Sequence, residues 1–224
     1  MIENIGLEIR KATISMRDSG LEARIPNSRK LYEQAQTAWS EDQTDADVER
    51  HYRAACLVHG AMLVARGRWS EAIQVYSVKG FARGGEGAVT PLPPTLCNQS
   101  TQFAAMMALG ESISRVRSNR DYADEAATEA VRWFVMLNDP RLSPWHGAAL
   151  LVMAHESQKQ GHDVRGLAAY ARTLLDPYEQ PELCVLAEHY AGMRDGYVKT
   201  SRFRKRPATF QAVECLYLFN VPHR

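Results

Sequence analysis

Residues 53–86 of the chain read RAACLVHGAMLVARGRWSEAIQVYSVKGFARGGE. Apolar residues recur at spacings of three and four on both sides of Gly67, which predicts two helices joined by a turn at that glycine. Gly60 and Ala72 are small, so we expect them to face each other where the two helices approach closely. Larger side chains fill the remaining space between neighbouring helices: Leu63, Trp69 and Tyr76. This stretch therefore predicts a tightly packed helical hairpin.

The same helical spacing extends over most of the 224 residues. It predicts a first helix over residues 2–18, a second one that starts after a break at Pro26, and a last one over residues 208–219. Because no stretch alternates apolar and polar residues as a half-buried strand does, the sequence predicts an all-α fold of about nine or ten helices. We expect residues 1–224 to form a single domain.

One stretch interrupts the helical pattern. Residues 80–96 contain four glycines and three prolines. Glycine costs backbone entropy in a helix and proline lacks an amide donor, so both disfavour regular structure. We therefore predict an irregular excursion at residues 80–96 and treat it as a candidate internal boundary or insertion.

Composition and charge are those of an ordinary globular protein. Apolar residues make up 45% and charged residues 24%, and the formal net charge is +1, which does not favour nucleic acid or a membrane as a partner of the whole chain. The first residues lack the basic and apolar pattern of a secretory signal. Four cysteines form no Cys-x-x-Cys pair: Cys56, Cys97, Cys184 and Cys215. We therefore expect reduced thiols and a cytoplasmic location.

The spacing in residues 53–86 resembles the tetratricopeptide repeat, a helix–turn–helix unit of about 34 residues. Residues 147–180 resemble the repeat more loosely, through positions at matching offsets: Leu150, Met153, Ala154, Gly161, Gly166 and Tyr170. The resemblance implies antiparallel helical hairpins that stack as a right-handed array and bind other proteins on the face formed by the first helices. An irregular helical bundle would also explain the helical spacing.

Common catalytic and cofactor-binding motifs are missing from the sequence. It contains no phosphate-binding loop, no His-Glu-x-x-His pair and no Gly-x-Ser-x-Gly elbow. We therefore predict a non-enzymatic protein–protein interaction scaffold or adaptor without a metal or cofactor, whose partner is another protein or a second copy. An all-helical enzyme would need a site assembled from distant residues such as His155, His162 and His189.

Positive charge is concentrated near the end of the chain. Residues 196–206 contain no acid. Five of the eight residues 199–206 are cationic, namely Lys199, Arg202, Arg204, Lys205 and Arg206. With Phe203 among them, these residues form a candidate binding site for phosphates and stacked bases, which gives an alternative function as a nucleic-acid-associated helical protein, nucleoprotein-like or regulatory. An acidic protein surface, including the acidic residues 41–49, or a solvated inter-helix loop would also explain the cluster.

Overall fold

The computed structural model describes residues 21–77, 94–195, 197–201, 204–207 and 210–219. In these ranges the chain is predominantly helical, which confirms the all-α prediction. The nine α-helices described are α1 Leu21–Glu41, α2 Ala46–Ala65, α3 Trp69–Tyr76, α4 Pro94–Arg117, α5 Ala123–Leu137, α6 Ser143–Lys159, α7 Arg165–Thr173, α8 Pro181–Tyr190 and α9 Gln211–Phe219. The helix predicted over residues 2–18 and most of the interruption predicted over residues 80–96 lie outside the described residues.

Consecutive helices pack as hairpins, and each hairpin packs on the next. The hairpins are α2–α3, α4–α5 and α6–α7, and α1 packs on α2. The first helices contact one another in series, α2 with α4, α4 with α6 and α6 with α8, while each second helix contacts the first helix that follows it. The middle of each first helix is buried on most sides, whereas the second helices bury one face. The first helices therefore form an inner layer.

The four inner helices end with the same turn. After each helix, one residue has a left-handed backbone, and its amide donates to the carbonyl three residues earlier. The amide of the next residue donates to the carbonyl five residues before it. This is the hydrogen-bond pattern of a Schellman motif, which favours glycine or asparagine at the left-handed position. The left-handed residues are Gly67, Asn119, Gly161 and Gly192. The turn predicted at Gly67 is thus repeated along the array.

Close approach within the first hairpin depends on Gly60. A Cβ atom on Gly60 would overlap the ring of Tyr76, so the two helices meet where Gly60 faces that ring. Ala72 lies one turn before Tyr76 on α3 and is fully buried. The corresponding positions in residues 147–180 are packed differently: Gly166 has nothing near its missing Cβ, and Tyr170 is 49% exposed. The tetratricopeptide-like arrangement therefore stays a prediction, with its better match in residues 53–86.

The last helix, α9, lies across the inner layer. It contacts all four inner helices, α2, α4, α6 and α8, and its side chains Val213 and Tyr217 are fully buried. The Tyr217 hydroxyl lies 2.7 Å from the Tyr76 hydroxyl, and a Cβ on Gly110 would overlap both rings. The face to which the repeat resemblance assigns partner binding is therefore covered, at least in part, by a helix of the same chain.

Three predicted boundaries need correction. Pro26 lies inside α1 instead of breaking it. The proline removes only one amide donor, and the turn around it is held by the Ser28 hydroxyl, which donates to the Ile25 carbonyl and also bonds to His59. Helix α4 begins at Pro94, within the predicted interruption, because the first position of a helix needs no amide donor. The segment interpreted as a solvated inter-helix loop contains an antiparallel hairpin of two strands, β1 Tyr197–Ser201 and β2 Arg204–Pro207.

Candidate functional site

A cleft opens between two outer helices. Helices α3 and α5 both pack on α4 and leave between them a pocket of about 350 Å³. We call it the α3–α5 cleft. Side chains on one face of α4 form its base, at helical spacing: Ala104, Met107, Ala108, Glu111 and Arg115. The opposite wall is formed by Tyr122, just before α5, and by one face of α5, again at helical spacing: Glu125, Ala126, Glu129 and Trp133.

The charges at the base of the cleft are paired with one another. Glu111 is 7% exposed, and its Oε1 accepts hydrogen bonds from the Ser77 hydroxyl at 2.7 Å and from Arg115 Nε at 2.8 Å. Arg53 is 8% exposed and forms an ion pair with Glu49. Burial lowers the pKa of the Arg53 guanidinium from its ordinary value, and Glu49 opposes that shift. Each buried charge at the base therefore has an opposite charge beside it, as buried ions require.

The rim on α5 carries aromatic rings and carboxylates. The indole Nε1 of Trp133 donates to Glu129 Oε1 at 3.2 Å, which links the ring to the carboxylate one turn earlier on α5. Glu125, one turn earlier, is exposed, and its side chain has no hydrogen bond or ion pair with another described residue. Tyr122, before α5, is 62% exposed. The rim therefore carries both aromatic side chains and negative charge.

The structure describes only part of the predicted basic site. Four of its six residues lie in the two strands: Lys199 in β1, and Arg204, Lys205 and Arg206 in β2. The other two, Arg202 and Phe203, lie outside the described residues. Strand β1 packs on α8, which holds the pair of strands against the body. We call β1 and β2 together the basic hairpin.

The backbone register of the basic hairpin pairs one lysine with another. Lys199 pairs with Lys205, and Val198 pairs with Arg206, with a bulge between Lys199 and Ser201. Directly opposed like charges weaken the pairing of two strands. The acidic residues 41–49 are less suited as their internal partner, because three of the carboxylates are already held: Asp45 by amides at the start of α2, Asp47 by Arg50 and Glu49 by Arg53.

The three histidines named for an enzyme site meet around Tyr190. The Tyr190 hydroxyl lies 2.8 Å from His155 Nδ1, and its ring lies 5.9 Å from the ring of His189. His162 and His189 line one shallow, open depression with Tyr190. Among the described residues there is no group of three or more histidine, cysteine or acidic side chains placed to hold a metal ion.

Cys56 and His59, which share one face of α2, belong to the core. Cys56 is fully buried, and burial raises the pKa of its thiol well above the ordinary value. His59 is 5% exposed, and its Nδ1 lies 2.9 Å from the Ser28 hydroxyl. Burial first, then the charges of Arg29 and Arg68, lower the pKa of His59 to about 4. A neutral imidazole therefore fastens α1 to α2.

Sequence reasoning missed the cleft residues on α4 and α5. The spacing of Glu125, Glu129 and Trp133 puts two acids and an indole on one helical face, and this pattern is visible in the sequence. The pairing of Glu111 with Ser77 is not visible there, because it joins residues 34 positions apart across two helices.

Comparison with known proteins gives no relative: no family model matches the chain, and neither a curated protein nor a solved structure matches it. Within the described ranges, every helix is too short or too polar to cross a lipid bilayer.

Proposed function

We propose that the protein is a non-enzymatic interaction adaptor and that the α3–α5 cleft receives side chains from a partner protein. The observation that carries the proposal is the position of the cleft on the outer surface of the hairpin array. The inner layer, where stacked helical hairpins commonly bind ligands, is covered in part by α9. The cleft, with a volume of about 350 Å³, lies at the small end of ligand pockets and suits one or two side chains.

The lining of the cleft favours binding over catalysis. The one hydroxyl group that bonds to a carboxylate there belongs to Ser77, and Glu111 Oε1, which accepts that bond, is also held by Arg115. A carboxylate held by a guanidinium is a poor base, and no histidine or cysteine is among the lining residues. The described cysteines Cys56 and Cys184 are free and buried, which supports the cytoplasmic location that we propose.

Selective loss of a partner tests this function. We would replace Ala126, which lines the cleft, by Trp to fill it, and replace Gln74, an exposed residue of α3 outside the lining, by Trp as a matched control. In affinity purification of the tagged full chain, Ala126→Trp is expected to lose a protein that wild type and Gln74→Trp retain. If all three recover the same proteins in equal amounts, the cleft is not the docking site.

A second candidate function uses the basic hairpin to bind nucleic acid. The opposed pair Lys199 and Lys205 favours it, because a polyanion bound there would relieve the like-charge repulsion. The test is fluorescence anisotropy with a labelled single-stranded RNA of mixed sequence, titrated with wild type and with a triple alanine variant at Arg204, Lys205 and Arg206. Binding that is weakened by the variant and by added salt would support it. Equal binding by both proteins would contradict it.

A further inference from the structure

We propose that the α3–α5 cleft binds the cationic head of an arginine or lysine side chain carried by the partner protein. This proposal rests on the proposed function, which makes the cleft the docking site. It adds the chemical class of the group that enters the cleft, and it is argued from the charges and rings of the lining.

The base of the cleft offers no free positive charge to an anionic ligand. Arg115 donates to the Glu111 carboxylate through both Nε and Nη2, and its Nη1 donates to the Asp121 carbonyl at 2.9 Å. Arg53, the other cation, is paired with Glu49. An acidic side chain that entered would have to break one of these pairs and strand a buried charge, which is costly.

The rim, in contrast, has negative charge left over. After the pairs at the base are counted, Glu125 and Glu129 remain without a cation among the described residues, and they lie one turn apart on α5. A cation between them would meet two carboxylates at the edge of the cleft, and charges near a protein surface attract each other more strongly than charges in bulk water. An incoming carboxylate would be repelled by both.

The aromatic side chains add a second attraction for the same group. The Trp133 ring is held at the rim by the bond from Nε1 to Glu129, and Tyr122 lies at the other end of the α5 wall. Indole and phenol faces attract guanidinium and ammonium groups through the ring quadrupole. Met107 and three alanines of the cleft lining provide apolar surface for the methylene stem of the side chain.

Nuclear magnetic resonance on the full-length protein tests the proposal. The probe is N-acetyl-arginine amide, and its matched control is N-acetyl-citrulline amide, which keeps the shape but loses the charge. The signals are the Met107 methyl group and the Trp133 indole NH, assigned with Met107→Leu and Trp133→Phe. A charge-neutral variant of the rim, Glu125→Gln with Glu129→Gln, is compared with Glu41→Gln, an exposed acid at the end of α1.

The arginine probe is expected to shift both signals in a saturable manner, and the citrulline probe to do so at least about tenfold more weakly. The double glutamine variant should lose the difference between the probes, and Glu41→Gln should keep it. Equal shifts with both probes would overturn the cation proposal and leave the cleft as a docking site. No shift with either probe would also overturn it, while the comparison of Ala126→Trp with Gln74→Trp decides the proposed function separately.

Discussion

Replacing Gly60 by alanine is expected to destabilise the protein, although alanine is the better helix former. The new methyl group would overlap the ring of Tyr76, which is 5% exposed. That ring cannot turn away easily, because its hydroxyl lies 2.7 Å from that of Tyr217 and its edge lies against Gly110. The overlap must therefore be relieved by moving α3 away from α2.

The size of the effect follows from two opposing contributions. Overpacking a well-filled core costs roughly 1–3 kcal/mol, with the upper part of the range expected where the neighbour is fixed. Glycine to alanine in a helix interior returns up to about 1 kcal/mol. We expect a net loss of about 1–2 kcal/mol in the free energy of unfolding, or a fall of roughly 2–8 °C in Tm for a chain of this size.

Chemical denaturation of three variants measures it. Gly166→Ala is the control, because nothing lies within 4 Å of the Cβ it would add, so it should be neutral or mildly stabilising. Adding Gly60→Ala to a Tyr76→Leu background should cost much less than in wild type, since the ring it collides with is gone. A Gly60→Ala protein as stable as Gly166→Ala would refute the close packing of α2 on α3.

Three further effects are expected. Tyr217→Phe leaves the buried Tyr76 hydroxyl without its partner at 2.7 Å and should cost about 1–3 kcal/mol in urea denaturation. His59 binds a proton near pH 6.5 in the unfolded chain but only near its pKa of about 4 in the native protein. The free energy of unfolding should therefore fall by roughly 2–3 kcal/mol as the pH drops from 6.5 to 4. The variant His59→Gln should show a flatter dependence on pH. If Arg204, Lys205 and Arg206 serve binding and not the fold, replacing each by alanine should change stability by less than about 0.5 kcal/mol in thermal melts, as substitutions outside packed or paired sites usually do.

Local sequence patterns predicted the helices and some of their turns. Gly67 and Gly161 follow helical segments directly, and both have the left-handed backbone that ends an inner helix. Asn119 occupies the same position after α4, but asparagine is also common in ordinary turns, so its role shows only in the backbone. The spacing of apolar residues predicted the hairpin in residues 53–86, because its two helices are neighbours in the sequence and contact each other over short sequence distances.

Long-range contacts explain what could not be predicted. The α3–α5 cleft depends on the bond between Ser77 and Glu111 and on two helices that both pack on a third, and neither is encoded by local spacing. The position of α9 depends likewise on Tyr217 reaching Tyr76, 141 residues earlier in the chain. The basic hairpin was missed as a pair of strands because its cationic residues hide the alternation that normally indicates a strand.

Site-specific photo-crosslinking tests the central proposal, partner docking in the α3–α5 cleft, most directly. A photoreactive phenylalanine derivative would replace Ala126 inside the cleft, or Gln74 outside it, in the full-length protein expressed in its own cells. We expect a discrete crosslinked protein from position 126 that is absent from position 74 and is lost when Glu125 and Glu129 are changed to Gln. Crosslinks of equal yield from both positions, or none from position 126, would contradict the assignment of the cleft as the docking site.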